Sequence, residues 1–364
     1  MLRPPVNETP EPGLLGNQKS LYEHALQLHR LHPDVALSED GKPYPDSGLH
    51  RTRNSWPRDQ RRQGASAAAL LDAFFARPDA TPDELVWAFH DVDVPIHRND
   101  HITAAALRAD RERAQETGRW LVRHSTDRCS ALIGPALLAA DWDGDIDLIR
   151  HIGLLSETFG PLAAIALKRR KAGSESLLWL AERTAGWGRV YIVEALCQVG
   201  SRSARPWLLR RALDGDALNG YYVGDVALAA DVHEAITAND PDDELIDHTG
   251  RLLHIMAGNS GMGMTWNGYH SIRRVLDAHV THLARQHPTL DRYFTAASIA
   301  HHLLKSDLTT PNLPPDHRTD LLNRYVAVLH HEDWSSMARA ALDPTDEFTA
   351  WFLETIAPRL RLLS

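Results

Sequence analysis

Four segments of the chain repeat one pattern: a bulky apolar cluster, a polar interval, then a glycine at the head of a second apolar stretch. Trp120-Leu121-Val122 leads to Ile133-Gly134-Pro135-Ala136-Leu137-Leu138, and Leu148-Ile149 leads to Phe159-Gly160-Pro161-Leu162-Ala163-Ala164. Leu178-Trp179-Leu180 leads to Trp187-Gly188-Arg189-Val190-Tyr191-Ile192, and Trp207-Leu208-Leu209 to Asn219-Gly220-Tyr221-Tyr222-Val223-Gly224. The lead positions are 28, 30 and 29 residues apart, and the glycines 26, 28 and 32. A period near 30 with two apolar helical stretches per unit predicts a helical solenoid. The second stretches, such as Val190, Ile192, Val193 and Leu196, are apolar on most sides, as a helix held between neighbours must be. The glycines are expected to open these helices and to let two backbones approach.

Outside the array, 3.6-residue periodicity predicts further helices. Ser20 to His32 reads as one short helix and Ala67 to Ala76 as another, stopped by Pro78. Thr81-Pro82-Asp83-Glu84 is a helix start, with a capping Thr, Pro in the first turn and acids behind it. Residues 101–123 read as one longer helix. Beyond residue 231 the pattern loosens, and helices are expected over about 243–257, 289–305, 317–331, 333–342 and 346–362. No segment alternates as a half-buried strand does. The fold class expected is therefore all-α: a solenoid of helical hairpins with a less regular helical C-terminal block. Three parts are expected: a poorly ordered arm with one possible short helix over 1–64, the repeat array over 65–257, and a helical block continuing the solenoid over 258–364.

The period and the two-helix unit resemble the short, roughly 30-residue variety of bacterial HEAT-like repeats. The run Trp187-Gly188-Arg189, Glu194-Ala195-Leu196, Trp207-Leu208-Leu209-Arg210, Asn219 and Tyr221 is similar to a signature of uncharacterised bacterial HEAT-like proteins. The resemblance covers about 120–231 well and 232–362 weakly. It implies a non-catalytic scaffold or adaptor that holds a protein partner on a concave face or rim. Trp187, Arg189, Tyr221, Tyr222 and Asp225 lie at the starts of adjacent second helices and are the expected partner contacts.

Charge adds a second reading. Residues 168–211 hold Lys168, Arg169, Arg170, Lys171, Arg183, Arg189, Arg202, Arg205, Arg210 and Arg211 against Glu175, Glu182 and Glu194. Residues 212–250 hold ten acids and no Lys or Arg. In a solenoid, sequence neighbours are spatial neighbours, so a basic band should lie beside an acidic one. Arg169, Arg170, Arg205 and Arg210 could then touch phosphates or an acidic partner. HEAT-like proteins include DNA glycosylases for alkylated bases, and Trp142, Asp143, Trp187 and Arg189 are residue types such an enzyme uses. The net charge of -9 disfavours a nucleic-acid partner. The blander reading puts the bases at helix C-termini and the acids at helix starts, where the helix dipole favours them.

Other chemistry finds little support. The 21 histidines include the group His90, Asp91, Asp93, His97, Asp100 and His101, but none has a recognised metal spacing, so no metal is expected. The loop Gly258 to Gly263 lacks a phosphate-loop ending and reads as a connector. No nucleophile elbow is present. Catalytic residues and cofactors are expected to be none. Cys129 and Cys197 sit on apolar helix faces and read as buried thiols. Met1 to Pro5 has no apolar core, and the longest clean apolar run, 131–140, cannot span a bilayer. A cytoplasmic protein without a membrane partner is expected.

Overall fold

The computed structural model describes residues 18–49, 60–90, 92–140, 144–259, 261–305 and 310–363; the side chains of 60–62 are outside the description. Among these residues every regular element is helical, and no strand occurs. Two compact units divide between Val199 and Gly200. That boundary lies inside the segment 65–257 expected as one array.

In the first unit the helices are α1 (Leu21–Leu31), α2 (Gln60–Phe75), α3 (Pro82–Phe89), α4 (Asp100–Arg108), α5 (Arg111–His124), α6 (Arg128–Ala140), α7 (Ile146–Ile152), α8 (Ser156–Lys168), α9 (Gly173–Ala181) and α10 (Gly186–Val199). They form two layers. The helices α4, α6, α8 and α10 lie side by side in that order, and α5, α7 and α9 form the row behind them. Helices α6 and α8 are buried along most of their length, which explains their apolar character on nearly every side. The single helix expected over 101–123 is two, because Asp110 accepts a hydrogen bond from the Arg113 N–H and starts a new one.

Close approach of backbones is real at some repeat glycines. A Cβ at Gly134 would lie 2.6 Å from Val122 Cγ2 and 3.0 Å from the Gly118 carbonyl, so α5 and α6 touch there. A Cβ at Gly188 would lie 1.8 Å from Ser156 Oγ, where α10 meets α8. At Gly160 the nearest atom would be 3.6 Å away, an ordinary contact. Gly188 and Gly220 lie in the first turn of their helices, as expected, whereas Gly134 and Gly160 follow several helical residues.

The loose arm expected over 1–64 is corrected over 18–49. Ser20 and Glu23 form a capping box that starts α1, and α1 lies on α5 and α7. Residues 33–49 then run on as a strap across the unit. Arg183 donates to the Pro33 carbonyl and pairs with Asp34. Asp40, buried, accepts from the Glu157 N–H at the start of α8 at 2.9 Å, and from Ser156 Oγ at 3.0 Å. Asp46, fully buried, accepts from the Arg128 N–H at the start of α6 at 2.7 Å and also pairs with the Arg128 guanidinium. Two carboxylates of the strap therefore supply acceptors for the open N–H groups of successive helices. The Pro-rich composition of 33–63 hid this, since turn residues mark where the chain bends and not what its side chains cap. Residues 1–17 and 50–59 lie outside the described residues.

Replacing Asp46 with Ala leaves the half-buried Arg128 guanidinium without its carboxylate and the Arg128 N–H without its acceptor, while Asp127 still caps the next two N–H groups of α6. We expect a loss of about 3 kcal/mol, measured by urea unfolding. A midpoint equal to wild type would show that the strap does not hold the unit.

The second unit holds α11 (Arg205–Leu208), α12 (Asn219–Ala229), α13 (Val232–Ile236), α14 (Asp243–Gly258), α15 (Ile272–Leu283), α16 (Leu290–Leu304), α17 (Pro315–His330), α18 (Glu332–Ala341), α19 (Glu347–Thr355) and α20 (Ala357–Leu360). Here α12, α14 and α16 lie side by side, and α13, α15 and α17 make the other row. Trp266, Tyr293, Tyr325 and Phe352 fill its interior. The helix expected over 346–362 is two, α19 and α20.

Candidate functional site

Three of the five expected partner contacts reach the surface. Trp187 is 39% exposed and Tyr221 is 36% exposed, and Asp225 is exposed on α12. Arg189 and Tyr222 are corrected: they are interior residues. Arg189 is 7% exposed and donates to the Ala181 carbonyl across the α9–α10 turn. Tyr222 is fully buried, with its hydroxyl donating to the Ala212 carbonyl at 3.1 Å. On a helix, adjacent positions point about 100° apart, so neighbours of an exposed aromatic residue commonly turn inward. Trp187 belongs to the first unit, and Tyr221 and Asp225 to the second.

Around Trp187 the structure gathers residues that the sequence reading did not select together. Its ring stacks on Tyr191, one turn along α10, with centroids 6.2 Å apart. His97, from the loop before α4, meets the other side of Tyr191 edge-on at 5.2 Å. Burial and the nearby Glu194 and Glu157 carboxylates raise the Tyr191 hydroxyl above its usual pKa. Burial lowers His97, so its ring is neutral near pH 7. The result is an aromatic strip of Trp187, Tyr191 and His97 with Glu194 and Glu157 nearby, of which Glu157 pairs with Lys42. Such a strip suits a cation from a partner: the ring faces attract it, and the Glu194 carboxylate adds to that attraction. The signal available in the sequence was the i, i+4 spacing of Trp187 and Tyr191; no local pattern pointed to His97.

The arginines expected to meet phosphate are committed elsewhere. Arg170 is 6% exposed and donates to the carbonyls of Gly144, Ala166 and Leu138. Arg169 donates to the Ala139 carbonyl, 30 positions back. Arg205 donates to the Ala230 carbonyl and pairs with Glu234, 29 positions on. Arg210 holds Asp242, 32 positions on, through both Nε and Nη2. Arg119 likewise holds Asp145, 26 positions on. These separations match the repeat period. Each guanidinium ties together two segments about thirty positions apart, through carbonyls left open at a helix end or through an acid in a turn. The basic and acidic bands do meet in the second unit, but as pairs: a groove of about 850 Å³ is lined by Arg202, Arg205 and Arg210 together with Asp231, Glu234 and Asp242. With Asp240 the groove holds four acids to three arginines, and Arg205 and Arg210 are engaged by acids within it. Asp143 and Trp142 lie outside the described residues.

His90 donates through Nδ1 to the Asp127 carboxylate at 2.7 Å, beneath the start of α6. Among the described residues no group of three or more His, Cys, Asp or Glu could hold a metal ion. No described helix is long and apolar enough to cross a membrane.

No protein-family model matches this chain, and no curated protein or solved structure does either.

Proposed function

We propose that the chain is a HEAT-like helical-repeat scaffold that binds a protein partner through the strip of Trp187, Tyr191 and His97. The half-exposed Trp187, stacked on Tyr191 with the Glu194 carboxylate nearby, is the observation that carries this reading. The two-layer arrangement of α4 to α10 and the arginine ties at repeat spacing support a solenoid of stacked hairpins. Isolated Trp and Tyr on a rigid helix are favoured interface anchors because they bury much area for little lost rotamer freedom. The charge around the strip selects a partner segment carrying Arg or Lys. A non-catalytic role in the cytoplasm goes with this reading, and neither cysteine is in a disulfide. The alternative, a nucleic-acid-directed protein such as a glycosylase, would need cationic donors turned outward, and the arginines named for it are engaged within the fold.

The test is affinity capture by the full chain from nuclease-treated bacterial lysate, beside Trp187→Ala. Trp187 is half-exposed, so the variant is expected to melt as wild type does. Loss of an anchor of this kind weakens binding by about 2 kcal/mol, or roughly thirtyfold. A partner retained equally by Trp187→Ala, or recovery of nucleic acid alone from untreated lysate, would overturn the reading.

A further inference from the structure

The second unit contains a cavity that the scaffold reading does not use. It measures about 130 Å³ and lies among α14, α15 and the first turns of α16. Its walls include Gly250 and Arg251 from α14, His279 and Leu283 from α15, and Asp291 and Thr295 from α16.

The buried end is formed by His279, which is 1% exposed. Its Nδ1 lies 2.8 Å from the hydroxyl of Tyr325, which is itself fully buried. Among the described residues no other acceptor reaches that hydroxyl. A buried O–H left without an acceptor is costly, so Tyr325 donates and Nδ1 accepts. The imidazole proton then sits on Nε2. Burial keeps the ring neutral by lowering its pKa to about 3. Nε2 has no hydrogen-bond partner among the described residues, and His279 lines the cavity beside Gly250. Gly250 keeps it uncovered: a Cβ there would lie 2.6 Å from Nε2. The void thus ends in a fixed N–H donor held by a second buried side chain.

Two opposite charges complete the lining. Arg251 donates to the Leu213 carbonyl through Nη1 alone, which leaves Nε and Nη2 for another acceptor. Asp291, at the exposed rim, has no hydrogen bond or ion pair among the described residues. By contrast Arg292 and Asp247, also in the wall, satisfy each other at 2.7 Å. The available groups are therefore two donors deep in the site and one carboxylate at its mouth, with Leu283 as an apolar wall. A cavity of about 150 Å³ accommodates a molecule of roughly six heavy atoms.

We infer that this cavity binds a small α-amino acid, its carboxylate on Arg251 and His279 and its ammonium toward Asp291. A carboxylate alone would leave Asp291 uncompensated at the mouth. A neutral polyol would leave the Arg251 charge without a counter-ion. Inorganic phosphate would bring its charge against Asp291.

The experiment is isothermal calorimetry on the full chain with glycine, L-alanine and L-serine, beside L-lactate, glycerol and inorganic phosphate. At least one of the three amino acids is expected to bind and to raise the melting temperature, with lactate weaker by about tenfold. Arg251→Gln and Asp291→Asn are each expected to weaken the amino acid by about tenfold while melting near wild type. His279→Phe removes the deep donor but can also disturb Tyr325. Gly250→Ala therefore provides a second block of the same end, read only in variants that retain a cooperative melt. The assignment is overturned if none of the three amino acids binds. It is overturned equally if lactate or phosphate binds as well as they do, or if binding survives both Arg251→Gln and Asp291→Asn unchanged.

Discussion

Lowering the pH from about 7 to about 5 is expected to cost the second unit about 4 kcal/mol of stability, from His248 and His279 alone. Both are buried, and burial lowers each pKa to about 3 against an ordinary value of 6.5. Arg251 and Arg210 add positive charge near His248, and His282 adds it near His279. The folded state therefore holds both rings neutral while the unfolded chain takes up two protons as the pH falls below about 6.5. Where the unfolded state binds more protons, stability falls with falling pH. Each ring contributes about 2 kcal/mol to that loss by about pH 5, and the loss continues toward about pH 3. Hydrogen bonding gives His248 a second reason to stay neutral. Its Nε2 accepts the Leu213 N–H at 3.1 Å, and a protonated nitrogen cannot accept. Urea midpoints across this range should move steeply, and His248→Gln should remove about half of the slope. A flat profile would mean that these rings are hydrated in solution.

Substituting Leu for Gly188 is expected to destabilise the first unit by at least about 3 kcal/mol. Overpacking a core with extra methylenes costs about 1–3 kcal/mol when side chains can adjust. Here they cannot. A Cβ at this position would meet Ser156 Oγ at 1.8 Å, Ser156 Cβ at 2.3 Å and the Ser156 carbonyl carbon at 2.9 Å. The last of these is backbone, so α8 and α10 must part. Ser156 Oγ also donates to Asp40, so its displacement loosens the strap as well. Gly160→Ala is the matched control. Its Cβ would make only ordinary contacts, and Ala favours a helix over Gly by about 1 kcal/mol. Melting curves should separate the two variants widely. Equal melting would place the α8–α10 contact elsewhere.

The helical class and several helix starts were legible because each leaves a local mark. Ser20, Thr81 and Asp242 are caps, and the apolar stripes follow the helical repeat. What escaped depends on partners distant in sequence. Asp40 and Asp46 look like turn residues until α8 and α6 are set beside them. Arg170 and Arg210 look like a basic band until Gly144 and Asp242 are known to receive them. His279 looks like one histidine among many; its donor role follows only from Tyr325, 46 positions away. Charge in sequence is countable, but whether a charge remains available depends on geometry that no local window contains. Trp187 was legible because its exposure follows from its place next to the turn, whereas the turning of Arg189 and Tyr222 into the interior required knowing which side of each helix has a neighbour.

The guanidinium ties have a consequence for how such a chain can change in length. Each tie joins residues about thirty positions apart, so the ties overlap along the chain like shingles. A deletion of ten or fifteen residues leaves ties outside the cut unchanged but alters those that span it, and strands a buried or half-buried guanidinium on one side and its acceptor on the other. Tolerance to shortening is therefore set tie by tie, by the arginines as well as by the apolar core.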